Sequence, residues 1–189
     1  SNTDSHLIIR NCMILNPQNV TTYGIQLFNV ENCTVESCNL TETGMTVISS
    51  RNILIDDIFT NHSRIGIKID ETENVTITRS LLEYHEYYGI HVTDSEGVYI
   101  KESEFNREDQ NVKISISTSS VVDCLLQKGN NGIAMSRSGS FNIRNNVLID
   151  VSYGISSEYS ERINVSIADN SIENSSCGIS LFNGEALIE

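Results

Sequence analysis

Apolar and polar residues alternate along most of the chain in runs that are too short for helices. Residues 33–36, 75–78 and 165–168 each place an apolar side chain at every second position before a polar break. A period of two is typical of β-strands that bury one face. The pattern therefore predicts an all-β chain of short strands separated by polar turns.

A glycine followed by an apolar residue recurs at intervals of 20 to 24 residues, with Asn111 filling one repeat, and seven of the eleven glycines lie at this position. The repeat positions are Gly24, Gly44, Gly66, Gly89, Asn111, Gly132, Gly154 and Gly178. A repeat of this length indicates a solenoid, because each unit must bury its apolar face against the next unit. We also expect these glycines to adopt a φ angle that other residues avoid.

Each repeat contains three short strand patterns, which lie too close together for hairpins with long loops. They fit one coil of a parallel β-helix, in which each strand pairs with its equivalent about 4.8 Å further along the axis. The prediction is a solenoid of about eight coils with about 22 residues each. No linker interrupts the repeat, so residues 1–189 form one predicted β-helix domain, which we interpret as an excerpt of a longer chain.

One position in each repeat, at the polar break between two strand patterns, is usually small and polar. Its residues are Cys12, Cys38, Ile58, Ser80, Ser103, Cys124, Asn146 and Asn170. We expect this column to hydrogen-bond the turn backbone, which would otherwise be buried without partners. Cys12 and Cys38 are neighbours in it, and either a disulfide or two stacked free thiols would fit.

The Gly-Ile-x-aliphatic strands and the Asn/Ser/Cys column resemble those of the right-handed parallel β-helix repeat superfamily, which includes pectate-lyase-like folds and NosD-like surface proteins. The resemblance covers nearly the whole chain and implies a single-stranded, right-handed coil. Enzymes, tailspikes and structural proteins all share this architecture, so the resemblance does not select an activity. The sequence contains neither the Asp-Pro-His-Asp motif of alginate epimerases nor the carboxylate set of polygalacturonases.

The x residue of each Gly-Ile-x-aliphatic strand should point outward, since neighbouring strand residues face opposite sides. This predicted column contains Gln26, Thr46, Lys68, His91, Lys113, Ala134, Ser156 and Ser180. Uronate lyases and epimerases need a cation for the carboxylate, a base for the α-proton and an acid for the leaving oxygen. Lys68, His91 and Lys113 are therefore the candidate catalytic residues.

Six nearby residues are candidates for ligand binding, because they lie on the next outward position or in the preceding loops. They are Arg64, Asp70, Tyr84, His85, Glu86 and Tyr87. An alternative interpretation is that an exposed strand face simply carries polar residues. The cations would then only relieve repulsion among neighbouring carboxylates.

Composition argues against nucleic acid and a membrane span as partners, and it leaves calcium as a metal that the protein could bind. The formal net charge of −13 argues against nucleic acid, whose phosphates would need many cations. No apolar run approaches the length of a membrane span. No metal site or other cofactor is predicted, although calcium would suit the acidic pairs Asp56–Asp57 or Asp70–Glu71 on grounds of charge.

Two functions remain open from the sequence, and whether the protein is an enzyme stays undecided. The first is an extracellular or cell-surface module that binds or presents carbohydrate, or that acts as a rigid spacer. The second is a polysaccharide lyase, epimerase or hydrolase working along a groove on the β-helix face. A polysaccharide or glycan is the expected partner, and neighbouring domains or an oligomer partner would cover the ends of the coil.

Overall fold

The computed structural model describes residues 6–16, 23–107, 109–182 and 184–188, so residues 1–5, 17–22, 108, 183 and 189 of the predicted domain lie outside it. Every described element is a strand: β1 (Leu7–Arg10), β2 (Met13–Leu15), β3 (Tyr23–Phe28), β4 (Glu31–Thr41), β5 (Gly44–Ile48), β6 (Arg51–Asn61), β7 (Ile65–Asp70), β8 (Glu73–Thr78), β9 (Leu81–Glu83), β10 (Tyr88–Lys101), β11 (Glu104–Asn106), β12 (Gln110–Val122), β13 (Leu125–Gln127), β14 (Asn131–Arg144), β15 (Val147–Ile149), β16 (Tyr153–Ala168), β17 (Ser171–Glu173), β18 (Cys177–Ser180) and β19 (Gly184–Ile188). This confirms the all-β prediction. The described residues include no helix long and apolar enough to cross a membrane.

The strands form a parallel solenoid in which each strand pairs with its equivalent in the next coil. Strand β10, for example, pairs in parallel with β7 and β8 of one neighbouring coil and with β12 of the other. Each coil has three sides, and β7, β8 and β9 form the front, second and third sides of one coil. In the next coil the first two sides merge into the single strand β10. The structure thus confirms a solenoid of about eight coils.

The core consists of aliphatic columns that run the length of the solenoid. On the front side, Ile67, Ile90 and Val112 lie in one column, and each is fully buried. Burying one side chain of this size stabilises the fold by about 1.5–3 kcal/mol. Because the core residues alternate with the outward ones, the same packing that stabilises the solenoid also fixes the positions of the surface columns.

The predicted polar column lies at a corner and forms the hydrogen-bond ladder expected of it. The Ser80 hydroxyl donates to the Thr78 carbonyl at 2.9 Å and accepts the Ile58 backbone N–H at 3.2 Å. Ser103 repeats the arrangement with the N–H of Ser80, also at 3.2 Å. In later coils the amide side chains of Asn146 and Asn170 accept the equivalent backbone N–H groups.

A second ladder of the same kind, which the sequence did not reveal, lies at the corner between the front and second sides. Ser50 accepts the Val30 backbone N–H at 3.0 Å, and Ser95 accepts that of Thr72 at 3.1 Å. These side chains also donate to the carbonyl two residues earlier, as Ser95 does to Thr93 at 2.7 Å. Two of the three corners are therefore stabilised by repeated side-chain to backbone bonds.

The two neighbouring cysteines are corner residues with free thiols. No disulfide joins Cys12 and Cys38, and both thiols are free. The backbone N–H of Cys12 donates to the Cys38 sulfur at 3.5 Å, which is the role that serine takes in later coils. Of the two arrangements left open by the sequence, the structure has the stacked thiols.

The repeated glycines do not adopt positive φ angles, so that expectation was wrong. Positive φ instead occurs at the residue before each corner residue, such as Arg79 at 48° and Glu102 at 51°. Glycine is needed because the coils approach closely: a Cβ atom on Gly44 would lie 2.1 Å from the Ile65 carbonyl oxygen. A Cβ on Gly154 would similarly lie 2.5 Å from the Gly178 carbonyl oxygen.

Candidate functional site

The outward surface of the front side, here called the front face, carries the predicted x column. Its residues pair in register from coil to coil, and Lys68 pairs with His91, which pairs with Lys113. The whole column is Gln26, Thr46, Lys68, His91, Lys113, Ala134, Ser156 and Ser180. The structure therefore brings together the three candidate catalytic residues.

Lys68 forms a partly buried ion pair within its own strand. Its Nζ lies 2.8 Å from Asp70 Oδ2, and the Thr93 hydroxyl of the next coil donates to Asp70 Oδ1 at 2.5 Å. Burial opposes ionisation of Asp70, but the hydrogen bonds from Lys68 and Thr93 outweigh it and lower the pKa of this carboxyl. The Lys68 charge is therefore compensated by a carboxylate that stays ionised at neutral pH.

Lys113 forms a second ion pair, which spans two coils. Its Nζ lies 2.9 Å from Glu158 Oε2. Lys113 pairs with Ala134, which pairs with Ser156, so the ion pair crosses the coil that contains Ala134. Ala134 is fully buried although it belongs to an outward column. The Lys113 ammonium is thus both compensated and largely removed from solvent.

His91 lies between these two ion pairs and is uncharged at neutral pH. Burial, and then the positive charges of Lys68 and Lys113, lower the pKa of its imidazole to about 4. The ring stacks against Tyr88, with 4.5 Å between the ring centroids. No hydrogen bond joins either ring nitrogen to another described residue. The neutral imidazole can therefore offer one donor and one acceptor to a ligand.

The corner next to the front face carries a cluster of rings and arginines. Tyr84 stacks on His62 with 5.1 Å between centroids, and the Arg107 guanidinium lies 5.5 Å from the Tyr84 ring. Arg64 lies 5.0 Å from the Tyr87 ring. These contacts place Tyr84 and Tyr87 on the outer surface, where a ligand could reach them.

Arg64 also pairs with Glu86, at 3.8 Å between its Nε and a carboxylate oxygen. Both side chains are well exposed, so the pair is held loosely and contributes little to stability. Arg64 and Lys68 thus both contact neighbouring carboxylates. These contacts agree with the alternative interpretation, in which the cations only relieve repulsion among those carboxylates.

His85 lies beneath this corner and is not available to a ligand, which corrects its place among the binding candidates. It is only 3% exposed. The Ser63 backbone N–H donates to Nδ1 at 3.3 Å, so the neutral ring carries its proton on Nε2 and donates to the Thr60 hydroxyl oxygen at 2.9 Å. Burial lowers the pKa of His85 to about 4. Its role is to hold the turn beneath Tyr84 and Glu86.

Other residues of the front face were not singled out from the sequence. Tyr88 covers His91, and Glu158 neutralises Lys113. Tyr88 has a sequence signal, because Tyr-Gly-Ile occurs three times in the chain. Glu158 has none, since its contact joins residues that are 45 positions apart and skips one coil.

The acidic pairs considered for calcium are engaged by protein groups. Asp70 binds Lys68 and Thr93, whereas Asp56 pairs with Arg79 and Asp57 accepts a hydrogen bond from Ser37. Within the part of the chain that the structure describes, no group of three or more His, Cys, Asp or Glu side chains could hold a metal ion. Calcium binding stays a prediction from the sequence.

One family model matches nearly all of the chain. It is described as "Right handed beta helix region", and its matches cover residues 1–122 and 58–188. No curated protein matches the sequence significantly.

Solved structures with a similar fold include an adhesin and two enzymes, each 12% identical to this chain. The first is PfbA, a surface adhesin of Streptococcus pneumoniae, with a TM-score of 0.51 over 85% of this chain and 60% of the adhesin. The DFA-IIIase of Arthrobacter chlorophenolicus A6 without its lid has a TM-score of 0.48 over 82% of this chain and 55% of that one. The periplasmic alginate epimerase AlgG has a TM-score of 0.41 over 82% and 51%. The chain thus spans about half to three fifths of these structures, and the likeness to the adhesin shows a common fold.

Proposed function

Because the chain belongs to the right-handed β-helix region family, whose coils provide a long and regular face, we propose that the front face binds a linear, uncharged polysaccharide. The observation that carries the proposal is the neutral His91, which is stacked on Tyr88 between two compensated ion pairs. A rigid row of polar groups beside an aromatic ring suits a ligand that is rich in hydroxyl groups.

The charge balance of the site favours an uncharged glycan over a uronate polymer. Lys68 pairs with Asp70, and Lys113 pairs with Glu158. At the adjoining corner Arg64 pairs with Glu86. A uronate carboxylate would therefore have to compete with a protein carboxylate for each of these cations, in a protein whose net charge is −13.

The partner-free groups of the face match the needs of sugar hydroxyls. The His91 imidazole can donate from one nitrogen and accept at the other, which pairs well with two adjacent hydroxyls. The Tyr88 ring, next to it, provides a flat apolar surface for the C–H face of a sugar ring. A hydrogen-bonding group and a stacking surface, the two kinds of contact that sugars use, thus lie side by side in the same coil.

Binding can be measured by calorimetry with neutral oligosaccharides, namely β-1,4-glucans, β-1,3-glucans and β-1,4-mannans, beside polygalacturonate and alginate oligomers as charged ligands. We expect binding in the neutral group, and we expect Tyr88→Ala or His91→Ala to weaken it about tenfold, because one stacking or hydrogen-bonding contact is lost. Tyr99→Ala is the matched control, since Tyr99 is 54% exposed on the second side.

Two results would contradict the proposal. One is tight binding of the uronate oligomers with none of the neutral ones, and the other is equal weakening by Tyr88→Ala and Tyr99→Ala. Far-UV circular dichroism of each variant separates loss of contact from loss of fold.

A polysaccharide of this kind is met outside the cell, so we also propose an extracellular or cell-surface location. The protein would there bind or present glycans, or act as a rigid spacer between other parts. Cell fractionation with an antibody against the protein tests the location, and recovery solely from the cytoplasm would contradict it.

A second candidate function is a lyase or epimerase with His91 as general base. The observation that favours it is the same neutral imidazole, with Lys68 and Lys113 on either side. Product analysis with each oligosaccharide tests it: turnover that is lost in His91→Ala while binding persists would support an enzyme. The absence of products from every oligosaccharide would leave binding as the function.

Hydrolysis by the two front-face carboxylates is not supported. Asp70 and Glu158 occupy the same column, four coils apart, in the register Asp70–Thr93–Ser115–Ser136–Glu158. At the spacing of parallel strands their Cα atoms lie about 19 Å from each other, and each carboxylate is held in an ion pair with its own lysine, Lys68 or Lys113, which lie two coils apart. Glycosidases keep their two carboxyl groups roughly 5 to 9.5 Å apart.

A further inference from the structure

Three tyrosines occupy equivalent positions on the front face at equal intervals. Tyr23, Tyr88 and Tyr153 are each followed by Gly-Ile, and each interval between them is 65 residues. In every case the tyrosine begins a front-side strand and precedes the first buried aliphatic residue of that strand by two positions. An interval of 65 residues corresponds to three coils.

The strand register confirms that the second and third tyrosines share a column. Tyr88 pairs with Gln110, Gln110 with Asn131, and Asn131 with Tyr153. Three coils at the spacing of parallel strands amount to about 14 Å along the axis. Tyr153 is 46% exposed, and Tyr88 is partly covered where it stacks on His91.

Carboxamide side chains fill the column between these two tyrosines. The Oε1 atom of Gln110 is buried and has no hydrogen-bond partner among the described residues. The Asn131 Oδ1 accepts the Ser156 hydroxyl at 3.3 Å. Asn131 is only 6% exposed, so neither carboxamide oxygen lies open to a ligand on the surface. The tyrosine rings at the two ends of the interval are therefore its main contacts for a ligand.

The interval between Tyr23 and Tyr88 is less regular. Tyr23 pairs with Gly44 and Tyr88 pairs with Ile65, and the register shifts between Tyr23 and Ile25. The continuous interval from Tyr88 to Tyr153 is thus the better place for the first contacts of a ligand, and Tyr23 would add a third platform for a longer one.

We propose that the front face binds its glycan parallel to the axis, with every third sugar stacked on a tyrosine. One pyranose ring of an extended chain spans about the same length as one coil, so the two periods match. This inference rests on the proposed function and adds the register of the ligand. The smallest complete ligand is a tetrasaccharide that reaches from Tyr88 to Tyr153.

Calorimetry with an oligosaccharide series tests this register, with chains of two to eight sugars from each of the neutral glucans and mannans named above. Affinity should rise by about tenfold between three and four sugars, where the second tyrosine is first reached. It should change little between four and six sugars, and rise again at seven sugars, where Tyr23 is reached. The second rise should disappear in Tyr23→Ala.

The Tyr153→Ala variant should remove the rise at four sugars, whereas Tyr153→Phe should keep it, because stacking needs only the ring. The Tyr99→Ala control should leave the whole profile unchanged. A smooth increase of affinity with length, or a step that survives Tyr153→Ala, would overturn the inference while leaving glycan binding in place. Failure of every neutral series to bind at any length would instead overturn the proposed function.

Discussion

His85 is a large residue at a corner that neighbouring coils fill with smaller ones. The residues before Thr43, Ser63 and His85 all have positive φ, which marks the same corner in three successive coils. The imidazole occupies the space beside Gly66, where an added Cβ would lie 2.7 Å from Nε2. Its hydrogen bonds require the neutral ring, because Nδ1 acts as an acceptor. The corner beneath Tyr84 thus depends on the protonation state of one buried side chain.

The folded protein should therefore lose stability in mild acid. The pKa of His85 is lowered to about 4 by burial, so the unfolded chain binds more protons between about pH 6.5 and pH 4. The stabilisation is complete above pH 6.5 and falls as the pH drops through this window, by about 3 kcal/mol in total. Urea unfolding at several pH values measures the slope of the free energy of unfolding against pH.

The slope should be smaller in His85→Gln, and His91 accounts for part of what remains, since its pKa is lowered in the same direction. The control His62→Gln replaces an exposed histidine of the same corner and should keep the slope of the unaltered protein. An unchanged slope in His85→Gln would show that His85 does not control acid stability.

Gly44 is essential for close packing of the coils and not for an unusual backbone angle. A Cβ at Gly44 would lie 2.1 Å from the Ile65 carbonyl oxygen, and backbone atoms cannot move aside as a flexible side chain can. We expect Gly44→Ala to lower the free energy of unfolding by about 3 kcal/mol. Gly178 is the matched control, because a Cβ there meets nothing within 4 Å. Thermal or urea unfolding of both alanine variants checks this, and equal losses would contradict the steric explanation.

Strands and corners, at the next scale, are coupled by the ladders of side-chain to backbone bonds. The Ser80 hydroxyl accepts the Ile58 N–H of one coil, while the Ser80 N–H donates to Ser103 of the next. Each corner residue is thus both an acceptor for one coil and a link to the following one. Strand ends are fixed by these bonds, so the strands of the second side, which lie between the two ladders, keep their register at both ends.

Removing one link should leave a buried donor without a partner. We expect Ser80→Ala to lower the free energy of unfolding by about 1–3 kcal/mol, because the Ile58 N–H then has no acceptor. Ser171→Ala is the control, since the Ser171 hydroxyl is exposed and bonds only the nearby Glu173 carboxylate. Its effect should stay within about 0.5 kcal/mol. A similar loss in both variants would mean that the ladder contributes nothing specific.

For the whole molecule, the repeat made the fold and the surface columns predictable. Lys68, His91 and Lys113 were placed side by side because a fixed interval in sequence becomes a fixed step along the axis. Contacts that skip a coil, such as Lys113 with Glu158, leave no such interval and could not be predicted. The burial of His85 was missed for a related reason, since a sequence does not show which turn residue points inward.

The parallel pairing of coils also has a mechanical consequence. The hydrogen bonds between strands join one coil to the next, as in the pairing of β7 with β10 and of β10 with β12. A pulling force along the axis therefore loads the bonds of successive coils in series, and the weakest terminal coil yields first. Under such tension the chain would unwind one coil at a time. Its extension would increase in small steps while the remaining coils keep their shape.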